Sequence, residues 1–289
     1  MLHTEAATQT GRAGWAYCVE NRETPTYLNL MGHVTTLFAR KVVEEIGGGA
    51  DKAALLRSIG LARDEPVDPS RMIAAAEYYS FLEQAATTDP DATTLPLRAG
   101  ASMRCDDYGA FGLAWKSATT LRGSYSRAER YGRVLTSVSA YEVEPTTGGA
   151  FLHLHREGER RLGLRLSNEA TLASIASISQ EVTSAPFRPL AVYFKHAAPS
   201  STAGHEAYFG GPVHFGTDRD ALLVSENTLR TSNKLGDPGL SRFFDAHLAA
   251  EVEACDDEGL DRRVREYVSK SLSEGVPPLS EVARHLGMS

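Results

Sequence analysis

Nine histidines are the side chains whose ordinary pKa lies closest to neutral pH. His153 and His155 stand two apart in "AFLHLHR", which puts both imidazoles on one face of an extended strand, and His196, His205 and His214 follow close together. Neutral imidazoles at that spacing can both reach a zinc or iron ion. A metal centre needs a third ligand, and no Asp or Glu stands at a telling distance in sequence. The spacing therefore argues for no metal and no other cofactor.

Catalytic constellations are also missing. A serine hydrolase of the nucleophile-elbow type would carry G-x-S-x-G, which is absent. "GGGADKA" (Gly47 to Ala53) lacks the G-K-[ST] ending of a phosphate loop and reads as a helix terminator. "GGPVHFG" (Gly210 to Gly216) has tight-turn glycines but not the G-x-G-x-x-G dinucleotide pattern. With no nucleophile, base and oxyanion donor in sight, an enzyme is not expected.

Binding is the better use of these residues. Pockets for small molecules are mostly apolar and aromatic, with a few polar groups that fix orientation. Phe111, Trp115, Tyr141, Phe151 and Phe194, with His153, His155 and His196, come from segments expected to frame such a cavity. The expected ligand is a small organic molecule with an apolar body and one polar end. Arg156, Arg160, Arg161 and Arg165 are interleaved with Glu157 and Glu159 and read as a solvated face rather than a nucleic-acid patch.

Composition bounds the rest. The 289 residues, 42% hydrophobic and 23% charged, suffice for a sizeable core, and a net charge of −7 is wrong for a surface that holds a polyanion along its length. Three widely spaced cysteines (Cys18, Cys105, Cys255) form neither a disulfide framework nor a zinc spacing and fit a reducing cytoplasm. No run approaches the apolar length of a membrane span, and the N-terminus has no signal-peptide core.

Periodicity places the elements. Asn29 to Ile46 reads as an amphipathic helix, Asp51 caps a short helix through Ile59, and Asp68 with Pro69 opens a third in "VDPSRMIAAAEYYSFLEQAATT". A fourth covers Leu95 to Met103. Tyr108 to Ala118 reads as a strand, alone or leading into a helix, and residues 120–138 as a long helix. Residues 150–167 read as a hairpin turning near Glu157-Gly158, with Leu162, Leu164 and Leu166 on the return strand. Residues 168–185 then read as a helix, 189–198 and 221–225 as strands, and Gly236 to Ala254 as a helix capped by Asp237. The fold class is α+β: a helical N-terminal part, then a small mixed sheet with hairpins. Phe243, Phe244, His247 and Leu248 in the last of these helices make a candidate homodimer seam.

The C-terminal "LSEVARHLGMS" (Leu279 to Ser289) has the pattern of the first part of a helix-turn-helix: Ser280 as N-cap, a small Ala283, and Gly287 for a positive φ. With the upstream "AYFGGPVHFGTDRDALLVSENTL" (Ala207 to Leu229), it resembles the AraC/XylS transcription regulators that carry an arabinose-binding-type effector domain. The resemblance runs from about Leu28 onward. It implies a flexible lead-in (residues 1–27), an effector-binding and dimerisation domain (28–255), and a linker with an incomplete helix-turn-helix (256–289), cut within its first unit. It further implies a cytoplasmic, homodimeric activator whose partners are a small-molecule effector and promoter DNA, the latter only through a complete C-terminal domain, with no membrane. Two alternatives remain: a cupin-like metalloprotein using His153 and His155, and a dimerisation module without an effector.

Overall fold

The computed structural model describes residues 32–156, 158–258, 264, 267–268, 271 and 275–287. The chain opens with β1 (His33–Thr35), α1 (Thr36–Glu45), α2 (Lys52–Arg57), β2 (Met72–Ala74), α3 (Ala75–Thr88) and α4 (Leu95–Ser102). A short 3-10 turn at Cys105–Tyr108 leads to α5 (Ala110–Ser117) and α6 (Leu121–Tyr131). The hairpin β3 (Ser139–Thr146) and β4 (Gly149–Arg156) precedes the long α7 (Leu162–Val182). Then come β5 (Ala191–Tyr193), α8 (Ala203–Phe209), β6 (Val213–His214), β7 (Ala221–Ser225), α9 (Glu226–Leu229), α10 (Pro238–Glu258) and α11 (Leu279–His285). The fold is α+β, as the sequence implies.

Two sheets form: a small antiparallel β1–β2 pair, and a five-stranded sheet in the order β3-β4-β7-β5-β6. In β4, Ala150, Leu152 and Leu154 are buried while Phe151, His153 and His155 point to the other face; the registers Leu152↔Leu222 and Val192↔Leu222 continue the apolar side across β7 and β5. That side packs with α5, α6, α7 and α10 in the larger core. A second core gathers α1, α2, α3 and α4 around Phe81, Leu82 and Tyr78. Helix α7 belongs to both, with Leu166 in one and Leu172, Ile175 and Ile178 in the other. A helix flanked on several sides is apolar around most of its circumference, and thirteen of its residues are buried.

Local chemistry explains most boundaries. The Asp51 carboxylate accepts from Ala54 N at the start of α2, and Asp237 accepts from Gly239 N and Leu240 N at the start of α10. Several expectations are corrected. Residues 33–35 are a strand, so the first helix begins at Thr36 and not at Asn29, which lies outside the described residues. Asp68 does not cap a helix: its carboxylate holds the turn at Ser70, and β2 intervenes before α3. Residues 110–117 are helical, not extended. Phe111, Ala114 and Trp115, with Ala118 just beyond, are buried at the i, i+3, i+4, i+7 spacing of one helix face. The helix expected over 120–138 stops at Tyr131.

The hairpin expected at 150–167 is the largest correction. β4 has a neighbour on both edges, β3 and β7, which leaves no edge for a third strand. Residues 162–166 instead start α7, whose free Gly163 N–H is capped by Glu83 Oε1 at 2.9 Å. The hairpin partner of β4 is the preceding β3, and of the expected turn at Glu157-Gly158 the residue Glu157 lies outside the described residues.

Helix α10 runs through Glu258, beyond Ala254, into the stretch expected to be a connection. Leu248 is fully buried and Phe244 packs on the larger core, whereas Phe243 is exposed and His247 is half exposed with Nε2 3.1 Å from Glu251 Oε1. Arg127 of α6 fastens α10 in place. Its side chain is 5% exposed and donates to Gly123 O (2.9 Å), Asp245 Oδ2 (2.9 Å) and Ser241 Oγ. Arg127→Ala leaves Asp245 and Ser241 facing a void. The expected loss is roughly 2 kcal/mol, read as a lower urea midpoint, with α10 amides exchanging faster than those of α7. Unchanged α10 protection would contradict this role.

In α11, Pro278 rather than Ser280 occupies the N-cap position; Ser280 lies in the exposed first turn, Ala283 is half-buried, and Gly287 takes φ +73°. No helix among the described residues is long and apolar enough to cross a membrane.

Candidate functional site

The eight residues proposed to contact a ligand fall in three places. Phe111, Trp115 and Tyr141 lie in the larger core. Trp115 is 1% exposed, with its ring centroid 6.2 Å from that of Phe111 and 5.6 Å from that of Tyr125, and Tyr141 lies against Gly132.

Phe151, His153 and His155 share the outer face of β4. His153 Nε2 lies 2.7 Å from Glu144 Oε2, and His155 Nε2 lies 2.8 Å from Glu142 Oε2, both carboxylates belonging to β3. The two imidazoles stack with centroids 5.6 Å apart, and Phe151 continues the row to Tyr193 and His214. Each imidazole is thus committed to its own carboxylate. Among the described residues, no group of three or more His, Cys, Asp or Glu side chains is arranged to hold a metal ion.

Phe194 and His196 belong to a third, buried cluster centred on Glu169 of α7. The carboxylate is fully buried; His205 Nε2 lies 2.9 Å from Oε2, His196 Nε2 3.1 Å from Oε1, and Arg165 Nε donates to Oε1 at 3.0 Å. Burial alone would raise the carboxyl pKa, but the His196 and His205 imidazoles outweigh it and bring it down to about 2. His196 Nδ1 lies 2.9 Å from Ala197 O, which fixes that ring, and Phe194 and Phe215 stack over the group at 5.4 Å. The cluster ties α8 to α7, since His205 is an α8 residue.

Helix α8 meets α7 at a second point beyond this anchor. Four residues further down α7, Tyr208 donates its hydroxyl to Ala173 O at 2.7 Å, and α8 ends at Gly210 in the left-handed conformation. Where α8 stops, a half-open cleft of about 410 Å³ lies between the helices, lined by Ala101, Arg104, Ala176, Ser177, Gln180, Glu181, Phe187, Pro189, Tyr208 and Phe209. That volume is in the range of small-molecule sites. One wall is apolar and aromatic, from Phe187, Pro189, Tyr208 and Phe209. The polar part of the lining comes from Arg104, Ser177, Gln180 and Glu181. Burial pushes the Tyr208 phenol well above its usual value, so it remains a neutral donor.

Tyr208 and Phe209 fall in the phrase that carries the family resemblance, but the sequence reading names none of the cleft residues as a ligand contact. Arg104 sits in a short connection, and Gln180 and Glu181 look like ordinary polar positions near a helix end. Glu169 carries the one legible signal, an acid between Leu166 and Leu172 in a helix otherwise rich in apolar positions.

A family model described as the arabinose-binding domain of AraC transcription regulators, N-terminal, matches residues 49–233. No curated protein matches the chain. Among solved structures, the chain is similar to the transcriptional regulator CdpR from Pseudomonas aeruginosa, at 16% identity and a TM-score of 0.49, covering 73% of this chain and 68% of that one. The family match takes in well over half of the 289 residues and reaches from α2 through β7 and α9. The chain belongs to the AraC transcription regulators with an arabinose-binding-type N-terminal domain, and its matched part is a ligand-sensing regulatory domain.

Proposed function

We propose that this chain is the effector-sensing part of an AraC-type regulator, and that the α7–α8 cleft takes up a small organic effector with an apolar body and one polar end. The observation that carries this reading is the cleft itself: a volume suited to a small molecule, lined by aromatic and apolar side chains with a few polar groups. Phe209, Tyr208 and Phe187 would cover the apolar body, in place of the strand-borne aromatics that the sequence suggests. Occupancy would bias how α8 and the neighbouring α7 are held, and regulation requires that the effector bind one arrangement better than the other.

The regulatory output would reach promoter DNA through a C-terminal helix-turn-helix domain, with α11 and its Ser280, Ala283 and Gly287 as the first helix and turn of the first unit. Dimerisation through α10 would use its outward side. Exposed Phe243 and half-exposed His247 are open to a second copy, while Leu248 and Phe244 are already occupied by this chain's own core.

A thermal-shift screen against small carboxylates, amides, amines and alcohols tests the sensor reading. A ligand present at 100 times its dissociation constant adds about 2.7 kcal/mol and raises the midpoint by several degrees. Stabilisation confined to one chemical class is expected. A screen in which only divalent metals stabilise the chain would replace the sensor with a metal-binding protein, and one in which nothing does would leave a dimerisation module.

A further inference from the structure

Two charged side chains line the cleft, and the protein uses them differently. Glu181 is engaged through both oxygens: Oε2 accepts from Cys105 N at 2.9 Å, and Oε1 lies 2.9 Å from Lys116 Nζ, an ammonium shared with Asp106. Arg104 is engaged through a single nitrogen. Its Nη1 donates to Ala101 O and Met103 O, both at 2.8 Å, and to Ser177 Oγ at 3.0 Å. Among the described residues, Nε and Nη2 have no protein acceptor, and no carboxylate lies within ion-pair distance of the guanidinium.

The neutral groups lean the same way. Gln180 spends its carbonyl oxygen on Phe187 N, which leaves its amide N–H groups. Ser177 donates to Ala101 O and Met103 O, and Tyr208 donates to Ala173 O. The N–H groups left free on the polar side of the lining belong to Arg104 and Gln180, and the only formal charge among them is the cation of Arg104. A group that meets them must accept. A guanidinium whose orientation is fixed through Nη1 offers its remaining N–H groups to a pair of carboxylate oxygens, a charge-assisted geometry that a neutral amide or alcohol matches less well and an amine not at all. Glu181, the one carboxylate of the lining, already pairs with Lys116 and accepts from Cys105 N.

We infer that the effector is an organic carboxylate, its anionic end held by Arg104 with Gln180 beside it, and its hydrocarbon body laid against Phe187, Pro189, Tyr208 and Phe209. This rests on the cleft being the effector site and adds the chemical class.

The test is calorimetric titration of the 289-residue chain with two matched series: octanoate, octanamide and octylamine, and 4-phenylbutyrate with its amide and amine. At least one carboxylate is expected to bind, at least about tenfold more tightly than its amide and more tightly still than its amine. Arg104→Gln should remove that preference and Arg104→Lys retain part of it. The head-group comparison is made on the unaltered chain and so does not depend on either variant folding. Equal binding of carboxylate and amide, or preference for the amine, overturns the carboxylate inference while leaving the cleft as the site. Binding that survives Ala176→Phe, which fills the cleft, overturns both, as does a failure of every member of both series to bind.

Discussion

Glu169→Ala is expected to lower the unfolding free energy by about 3–5 kcal/mol, measured by urea denaturation at pH 7. The substitution deletes a fully buried carboxylate and leaves the fully buried His205 imidazole, His196 and Arg165 without their common partner. Glu169→Gln preserves shape but not charge and should fall between the two. The pH dependence has a definite sign. With the folded carboxyl held at about 2 against an ordinary value of 4.5, its contribution is fully present above about pH 4.5 and is lost as pH falls towards 2. The gap in stability between the parent chain and Glu169→Gln should therefore close by roughly 3 kcal/mol over that interval. A gap that stays constant from pH 5 to pH 2 would mean that the carboxylate is not held by its neighbours' charge. Because this cluster fastens α8, the same variants should also weaken any ligand that lies against Tyr208 and Phe209.

Gly112→Ala should destabilise the chain by about 2–3 kcal/mol, despite replacing glycine in a helix with the best helix former. An added Cβ at residue 112 would lie 1.6 Å from Cys105 O and 2.5 Å from Cys105 C, backbone atoms that cannot swing aside as a side chain can. The helical gain of up to about 1 kcal/mol is small beside the cost of parting α5 from the 3-10 turn at Cys105–Tyr108. For a domain of this size the melting midpoint should drop by roughly 5–10 °C. An unchanged midpoint would show that the turn shifts freely. The connection also carries Arg104, so a displaced turn should weaken carboxylate binding along with stability.

The sequence is most readable where local chemistry decides the outcome. The caps at Asp51 and Asp237, the helix at Leu95–Ser102 and the short strands containing Val192 and Leu222 all follow from residues near them in the chain. It misleads where a pattern has two meanings. Leu162, Leu164 and Leu166 alternate as a strand would, yet only Leu166 is deeply buried, and the edge that such a strand would need is already taken by β7. The run Phe111 to Trp115 is apolar enough for either element, and only its burial spacing reveals the helix.

The site is less readable than the fold, for a related reason. The aromatics Phe111, Trp115 and Phe151 are notable as residue types, but whether a ring faces a core, a cleft or solvent depends on tertiary packing. Arg104 matters because two of its nitrogens are left over after it caps the end of α4, which no spacing rule reveals. His205 and Glu169 are 36 residues apart and meet only because tertiary packing brings α8 against α7.

The central claim is that the cleft between α7 and α8 is where this domain senses its effector. It is tested most directly by mapping backbone amide shifts by NMR, on titration with whichever carboxylate stabilises the chain most. The expected result is that the largest shifts cluster at Ala101–Arg104, Ala176–Glu181, Phe187 and Tyr208–Gly210, with smaller ones along α8 to His205. Shifts concentrated instead on the outer sheet face around Phe151, His153 and Tyr193, with the cleft unmoved, would contradict it.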